Sequence, residues 1–127
     1  MRRAVFLVLL SMLGALIFAS AALAITKTCS SSPCFGTAQD DTLTERRGVK
    51  DAIYGLGGDD RILARLKDRT PRDKDHLYGG PGNDRINSVD LDGGDVLYGG
   101  RGRDVCLIDS GEPHYGCEAV RVRSFSA

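Results

Sequence analysis

The sequence predicts an all-β fold built from stacked short repeats. Two observations lead there. One glycine- and aspartate-rich segment recurs along the middle of the chain, and the remainder holds few large apolar side chains for a conventional core. "YGLGGDDRIL" (54–63), "YGGPGNDRIN" (78–87) and "YGGRGRDVCL" (98–107) are variants of one unit. Each has too many glycines for a helix and too many turn formers for a long strand, which leaves a tight turn and a brief extended piece.

At the N-terminus, Met1, Arg2 and Arg3 precede an apolar run from Ala4 to Phe18, then small residues ending in Ala22-Leu23-Ala24. A basic start, an apolar centre and an A-x-A site predict a signal peptide over residues 1–24, cleaved after Ala24. The expected product is a secreted, extracellular protein with no membrane contact after cleavage. The rival reading is an uncleaved anchor, since residues 4–24 are just long enough to span a bilayer. Ser11, Gly14 and Ser20 dilute the run and weaken that reading. A lipoprotein signal is disfavoured because Thr26-Lys27-Thr28, ahead of Cys29, lacks an apolar residue three places upstream.

The 103 residues after Ala24 leave room for one domain. They carry 15 Lys and Arg against 17 acids, a formal charge of −2, so nothing points to a nucleic-acid partner. All four cysteines lie in this part, an even number in an exported chain, which favours disulfides over metal thiolates. Residues 25–35 read as an N-terminal cap with cysteines, 36–107 as the repeats and 108–127 as a C-terminal cap.

Aligned on G-G-x-G-x-D-x-U-x, with U a large apolar residue, "GGPGNDRIN" (79–87) matches throughout and "GGRGRDVCL" (99–107) matches with Cys106 at U. "GLGGDDRIL" (55–63) keeps Gly55, Asp60 and Ile62 with its middle glycines shifted, and "GTAQDDTLT" (36–44) keeps Gly36, Asp41 and Leu43. Between them lie degenerate copies that retain an acid and an apolar residue: Asp51 with Ile53, Asp75 with Leu77, and Asp95 with Leu97.

On these residues the chain resembles the haemolysin-type, or RTX, calcium-binding nonapeptide-repeat family. The resemblance implies a parallel β-roll, a β-helix-like solenoid. Each six-residue turn binds calcium, each x-U-x piece is a short strand, and two nonapeptides complete one coil. The residues assigned to the ions are Gly36 and Asp41; Gly55, Gly57, Asp59 and Asp60; Gly79, Gly80, Gly82, Asn83 and Asp84; and Gly99, Gly100, Gly102 and Asp104. Elementary chemistry agrees. Glycines let the backbone curl so that carbonyl oxygens converge, the aspartate adds a charged oxygen, and calcium takes about 6 to 8 oxygens, which two stacked turns can supply. Side chains alternate along a strand, so Leu43, Ile53, Ile62, Leu77, Ile86, Leu97 and Cys106 are expected to form a thin core.

The repeat aspartates 41, 51, 60, 75, 84, 95 and 104 are spaced by 10, 9, 15, 9, 11 and 9 residues. Every step into Asp60, Asp84 and Asp104 has the nonapeptide length; every step into Asp51, Asp75 and Asp95 is longer. With alternate turns on opposite edges, all insertions fall on one edge. The expectation is an asymmetric roll: a calcium edge with up to three inter-turn sites, and a looped edge where binding is weakened or lost. The charged insertion "ARLKDRTPRDKD" (64–75) reads as a solvated loop.

Tyr54, Tyr78 and Tyr98 each precede a glycine turn. Cross-strand stacking is the plainer reading; a ladder that contacts a protein or carbohydrate partner is the alternative. Four cysteines allow three pairings, of which the local one, Cys29 with Cys34 and Cys106 with Cys117, needs no long reach and staples the two ends. "CEAVRVRSF" (117–125) reads as a final capping strand.

No H-E-x-x-H, G-x-S-x-G or Walker loop is present, and no enzyme is expected. His76 and His114 read as surface residues. "DLDGGD" (90–95) suggests an EF-hand but lacks glycine at the sixth loop position and has Arg101 where the bidentate glutamate belongs. Two functions remain. One is a secreted calcium-binding β-roll with a structural or adhesive role. The other is an exported effector, such as an inhibitor, toxin or lytic factor, with the roll as scaffold and its loops as active surface.

Overall fold

The computed structural model describes residues 23–45, 51–64, 74–91 and 93–124. Most of the predicted signal peptide, and residues 65–73 of the charged insertion, lie outside the described residues. The described residues form eleven short strands and no helix. A three-residue piece with one apolar side chain at its centre cannot hold a strand conformation alone. It becomes a strand when identical pieces stack above and below it.

Successive strands alternate between two sheets. One contains, in order, β1 (Thr26–Thr28), β3 (Thr42–Thr44), β5 (Arg61–Leu63), β7 (Arg85–Asn87), β9 (Val105–Asp109) and β11 (Ala119–Arg123). The other contains β2 (Cys34–Phe35), β4 (Ala52–Tyr54), β6 (His76–Pro81), β8 (Val96–Arg101) and β10 (His114–Tyr115). All pairings are parallel. The chain is therefore an all-β parallel roll, two strands to the coil.

The register places like residues over like. Leu43, Ile62, Ile86 and Cys106 form one column in the first sheet, and Cys34, Ile53, Leu77 and Leu97 form another in the second. All seven predicted inward residues are completely buried, and Cys29, Cys34, Ala64 and Ile108 complete the cluster. The core is one apolar side chain thick from each sheet. Burying each such side chain is worth about 1.5–3 kcal/mol, which leaves much of the stability to the turns.

Aromatic rings form a third column. Tyr54, Tyr78 and Tyr98 stack with centroids 4.5 and 4.7 Å apart and planes within 3° of parallel. That spacing is the strand-to-strand distance of a sheet, so stacking follows from register alone. Phe35 extends the stack at 5.1 Å at one end and Tyr115 at 5.1 Å at the other, two members the repeat pattern did not disclose.

Both ends are stapled by the local disulfides Cys29–Cys34 and Cys106–Cys117. Closing the second loop, with its sequence separation of 11, contributes on the order of 3 kcal/mol. The expected capping strand is β11, paired with β9. Val120 and Val122 on it remain exposed, because no later strand stacks on it among the described residues.

Candidate metal centre

The turns that carry the glycine pattern, 36–41, 55–60, 79–84 and 99–104, all lead from the second sheet to the first. The segments that carry insertions all lead from the first sheet back to the second. The spacing argument is thus realised as two distinct edges.

On the glycine edge the sixth-position aspartates are buried and joined in a ladder. Oδ1 of Asp60 accepts the main-chain N–H of Asp41 at 2.8 Å, Oδ1 of Asp84 that of Asp60 at 2.8 Å, and Oδ1 of Asp104 that of Asp84 at 2.7 Å. Each coil therefore holds its predecessor by one carboxylate oxygen. The second oxygens, Oδ2 of Asp60, Asp84 and Asp104, are buried with no hydrogen-bond donor. Each sits over the first glycine of its own turn and beside the carbonyl oxygen of the glycine that opens the next coil. A Cβ on Gly55, Gly79 or Gly99 would run into both atoms. The glycines keep a space lined with oxygen.

Burial is the main cause of the electrostatic strain at these carboxyls. It raises Asp60 to about 7 and Asp84 to about 6, against the lowering effect of the ladder hydrogen bonds. Neighbouring acids add to the rise: Asp84, Asp41 and Asp40 for Asp60, and Asp104 and Asp59 for Asp84. Asp104 is raised for the same reason, with Glu118 the larger of its acidic contributors.

The first turn differs. Thr37 stands where the consensus has its second glycine, and both its main-chain N–H and its hydroxyl donate to Oδ2 of Asp41. Asp41 belongs to the ladder, but its second oxygen is satisfied internally. Of the four predicted turns, three present a bare carboxylate oxygen.

The fifth position forms a second ladder in the opposite sense. Asp40 Oδ1 accepts from Asp59 N–H at 2.7 Å, Asp59 Oδ1 from Asn83 N–H at 2.8 Å, and Asn83 Oδ1 from Arg103 N–H at 3.0 Å. Asp59 and Asn83, both assigned to the ions from sequence, are exposed here and tie adjacent coils.

One assignment is corrected. The glycine aligned with Gly82 and Gly102 is Gly58, not Gly57. Gly58 has φ +93, as Gly82 has +146 and Gly102 +142, and a Cβ on Gly82 would collide with the Gly58 carbonyl. Leu56 then takes the second position, at φ 84, in register with Gly80 and Gly100. The turn departs from the consensus by this leucine alone; its middle glycines are not shifted.

The looped edge is also more ordered than its insertions suggest. Asp75 Oδ1 accepts the N–H of Asp51 at 2.7 Å, and Asp95 Oδ1 that of Asp75 at 2.9 Å. All three aspartates are buried, and burial raises Asp95 to about 9. The ladder is continuous through Asp51, Asp75 and Asp95 although the steps between them in sequence are of unequal length.

Glu118 was missed by the sequence reading. Its Oε2 accepts the N–H of Asp104 at 2.6 Å and ends the glycine-edge ladder. Its position directly before strand β11 was the available signal, since every repeat places an acid directly before a strand.

These features fit a calcium ion. The donors are carboxylate and carbonyl oxygens, the buried Asp oxygens lack partners, and a hard cation supplies the positive charge they need. The residues suited to hold it are Asp60, Asp84 and Asp104 with the carbonyls of the opening glycines. The RTX calcium-binding nonapeptide repeat matches the sequence in four copies, over residues 50–65, 72–88 and 89–111. The match contains the three turns with bare oxygens and omits the turn closed by Thr37. No curated protein and no solved structure matches the chain. The matched repeats carry the three stacked glycine–aspartate turns with bare oxygens, and the chain is a parallel β-roll that contains RTX calcium-binding nonapeptide repeats.

Proposed function

We propose that this chain is an exported β-roll whose folded state is held by calcium between its glycine turns, and that it serves as a structural or adhesive module in a calcium-rich exterior. The observation that carries the proposal is the row of three buried, donorless oxygens on Asp60, Asp84 and Asp104. An ion that these oxygens share ties neighbouring coils, so calcium concentration sets how rigid the roll is. Export rests on the N-terminal sequence and on two disulfides, which persist in oxidising compartments.

Before calcium is met, the repelling carboxylates and the thin core leave the roll weak; calcium then completes the fold. Affinity is expected in the range of extracellular calcium modules, about 10⁻⁴ to 10⁻³ M. Circular dichroism of the oxidised chain from Ile25 onward, titrated with calcium and then with chelator, tests this. Calcium should increase the β signal and raise the melting temperature, and chelator should reverse both. An unchanged spectrum and melting curve across millimolar calcium would sink the proposal.

A further inference from the structure

Away from the glycine turns, three buried carboxylates meet on the looped edge near the C-terminal end of the roll. Asp90, Asp109 and Glu112 each offer an oxygen, and these oxygens lie within 4.8 Å of one another. Asp90 and Asp109 do not stand at the sixth position of a repeat turn, and Glu112 lies beyond the residues that match the repeat.

Local folding brings them together. Strand β9 runs on to Asp109, where its neighbour β7 stops at Asn87, and this extension carries Asp109 onto the edge. Gly111, at φ 94, closes a turn in which Glu112 N–H donates to the Asp109 carbonyl at 3.3 Å and Asp109 N–H donates to Glu112 Oε2 at 3.0 Å. On the preceding coil, the successive N–H groups of Asp90 and Leu91 both donate to Asp109 Oδ2, at 3.1 and 2.8 Å. Leu91 has φ 87, an uncommon conformation for a leucine and one that marks a constrained site. The Ser88 hydroxyl donates to Glu112 Oε2 at 2.6 Å.

These bonds use one oxygen each of Asp109 and Glu112. Asp109 Oδ1 and Glu112 Oε1 are left buried with no donor, on side chains only 5 % and 4 % exposed. Oδ2 of the fully buried Asp95 is a third such atom, and Asp95 is close enough to Glu112 and Asp90 to feel their charges. Bare carboxylate oxygens gathered out of water are opposed by burial and by mutual repulsion, and a divalent cation relieves both. The donors are all oxygen, which selects a hard ion. Irregular loops suit the variable coordination of calcium better than the strict octahedron of magnesium.

We propose that Asp90, Asp109 and Glu112 form a calcium site of their own, on the edge opposite the glycine turns, which pins the C-terminal cap to the last inserted loop. The site is independent of the glycine-turn sites. Native mass spectrometry of the oxidised chain in calcium should count one ion fewer for the Asp109→Asn/Glu112→Gln variant than for the wild type. In chelator, the same variant should melt higher than the wild type, because the amides remove the repulsion and keep the shape.

An equal ion count in variant and wild type overturns the proposal. If the double variant does not fold, the wild-type protein decides: crystals grown with terbium chloride should show anomalous density among the three carboxylates. Terbium in the glycine turns and none here overturns this site. Terbium here and none in the turns removes the repeat-site reading and leaves this one standing.

Discussion

The main-chain N–H of Asp60 donates to Oδ1 of Asp84 at 2.8 Å, between adjacent coils and across 24 residues of sequence, while Oδ2 of the same Asp84 carboxylate is buried without a donor. One oxygen ties the coils and the other is left for an ion. Asp84→Ala should therefore lower both calcium stoichiometry and the stability measured in chelator, the latter by about 1–3 kcal/mol for the stranded N–H. Asp41→Ala should lower stability but leave the number of bound calcium ions unchanged, because Thr37 already satisfies the second oxygen of Asp41. Isothermal titration and melting of both variants would check this. Equal calcium losses would show that Thr37 does not close the first turn.

The raised aspartates make the ion-free roll sensitive to pH. A carboxyl whose folded pKa exceeds its unfolded value stabilises the fold fully below the unfolded value, and that contribution fades as pH rises through the folded value. With Asp84 at about 6, Asp60 at about 7 and Asp95 at about 9, the chelated chain should lose stability as pH rises from about 4 to 9, most of it by about 7. Bound calcium stabilises the carboxylates of Asp60 and Asp84, so the loaded chain should show a smaller decline. Melting curves in chelator and in calcium from pH 4 to 9 test the sign. A chelated chain that gains stability toward pH 7 would contradict it.

Gly82 and Gly57 should respond unequally to alanine. At Gly82, φ is +146 and a Cβ would collide with the Gly58 carbonyl of the coil beside it. At Gly57, a Cβ meets nothing nearer than Ala38 Cα at 3.8 Å. Gly82→Ala should cost roughly 1–3 kcal/mol from backbone conformation alone, with the collision in addition. Gly57→Ala should stay within about 0.5 kcal/mol. Thermal melting of the two variants in saturating calcium distinguishes Gly58 from Gly57 as the stacking glycine.

Tyr78 stacks on two rings and the terminal Tyr115 on one. Stacked aromatic pairs contribute about 0.5–1.5 kcal/mol beyond burial. Tyr78→Leu should therefore lower the melting temperature by about twice as much as Tyr115→Leu. Equal shifts would show that the column carries no stacking energy.

The Ile25 nitrogen donates to Asp41 Oδ1 at 2.7 Å and occupies the ladder place that an aspartate N–H fills in later coils. Cleavage after Ala24, as the sequence predicts, would make that nitrogen an ammonium beside a buried carboxylate. A chain beginning at Ile25 should then exceed its N-acetylated counterpart in stability by about 1 kcal/mol, the difference between a charge-assisted and a neutral hydrogen bond. The advantage should disappear as pH rises past about 8 and the amine loses its proton. Equal melting temperatures at pH 6 would remove the end of the ladder from the account.

Repetition makes much of this chain legible without coordinates. A residue flanked by outward neighbours in a three-residue strand has one direction left, so Leu43, Ile53, Ile62, Leu77, Ile86, Leu97 and Cys106 could be placed inside from alternation alone. The two edges followed from the aspartate spacing, because insertions can be accommodated only where the chain leaves the stack. The cysteine pairs followed from proximity in sequence. What could not be read depended on contacts between coils. Thr37 becomes a lid only once Asp41 is folded back over it, whereas the match of Gly58 with Gly82, each two residues before its aspartate, was already written in the spacing. Asp90 and Asp109, 19 residues apart, share hydrogen bonds because one coil rests on the next. In a roll, near neighbours in space are about one coil apart in sequence, and each coil has its own loop length. The pattern within a repeat is therefore written locally, while the meeting of one repeat with another is settled by stacking.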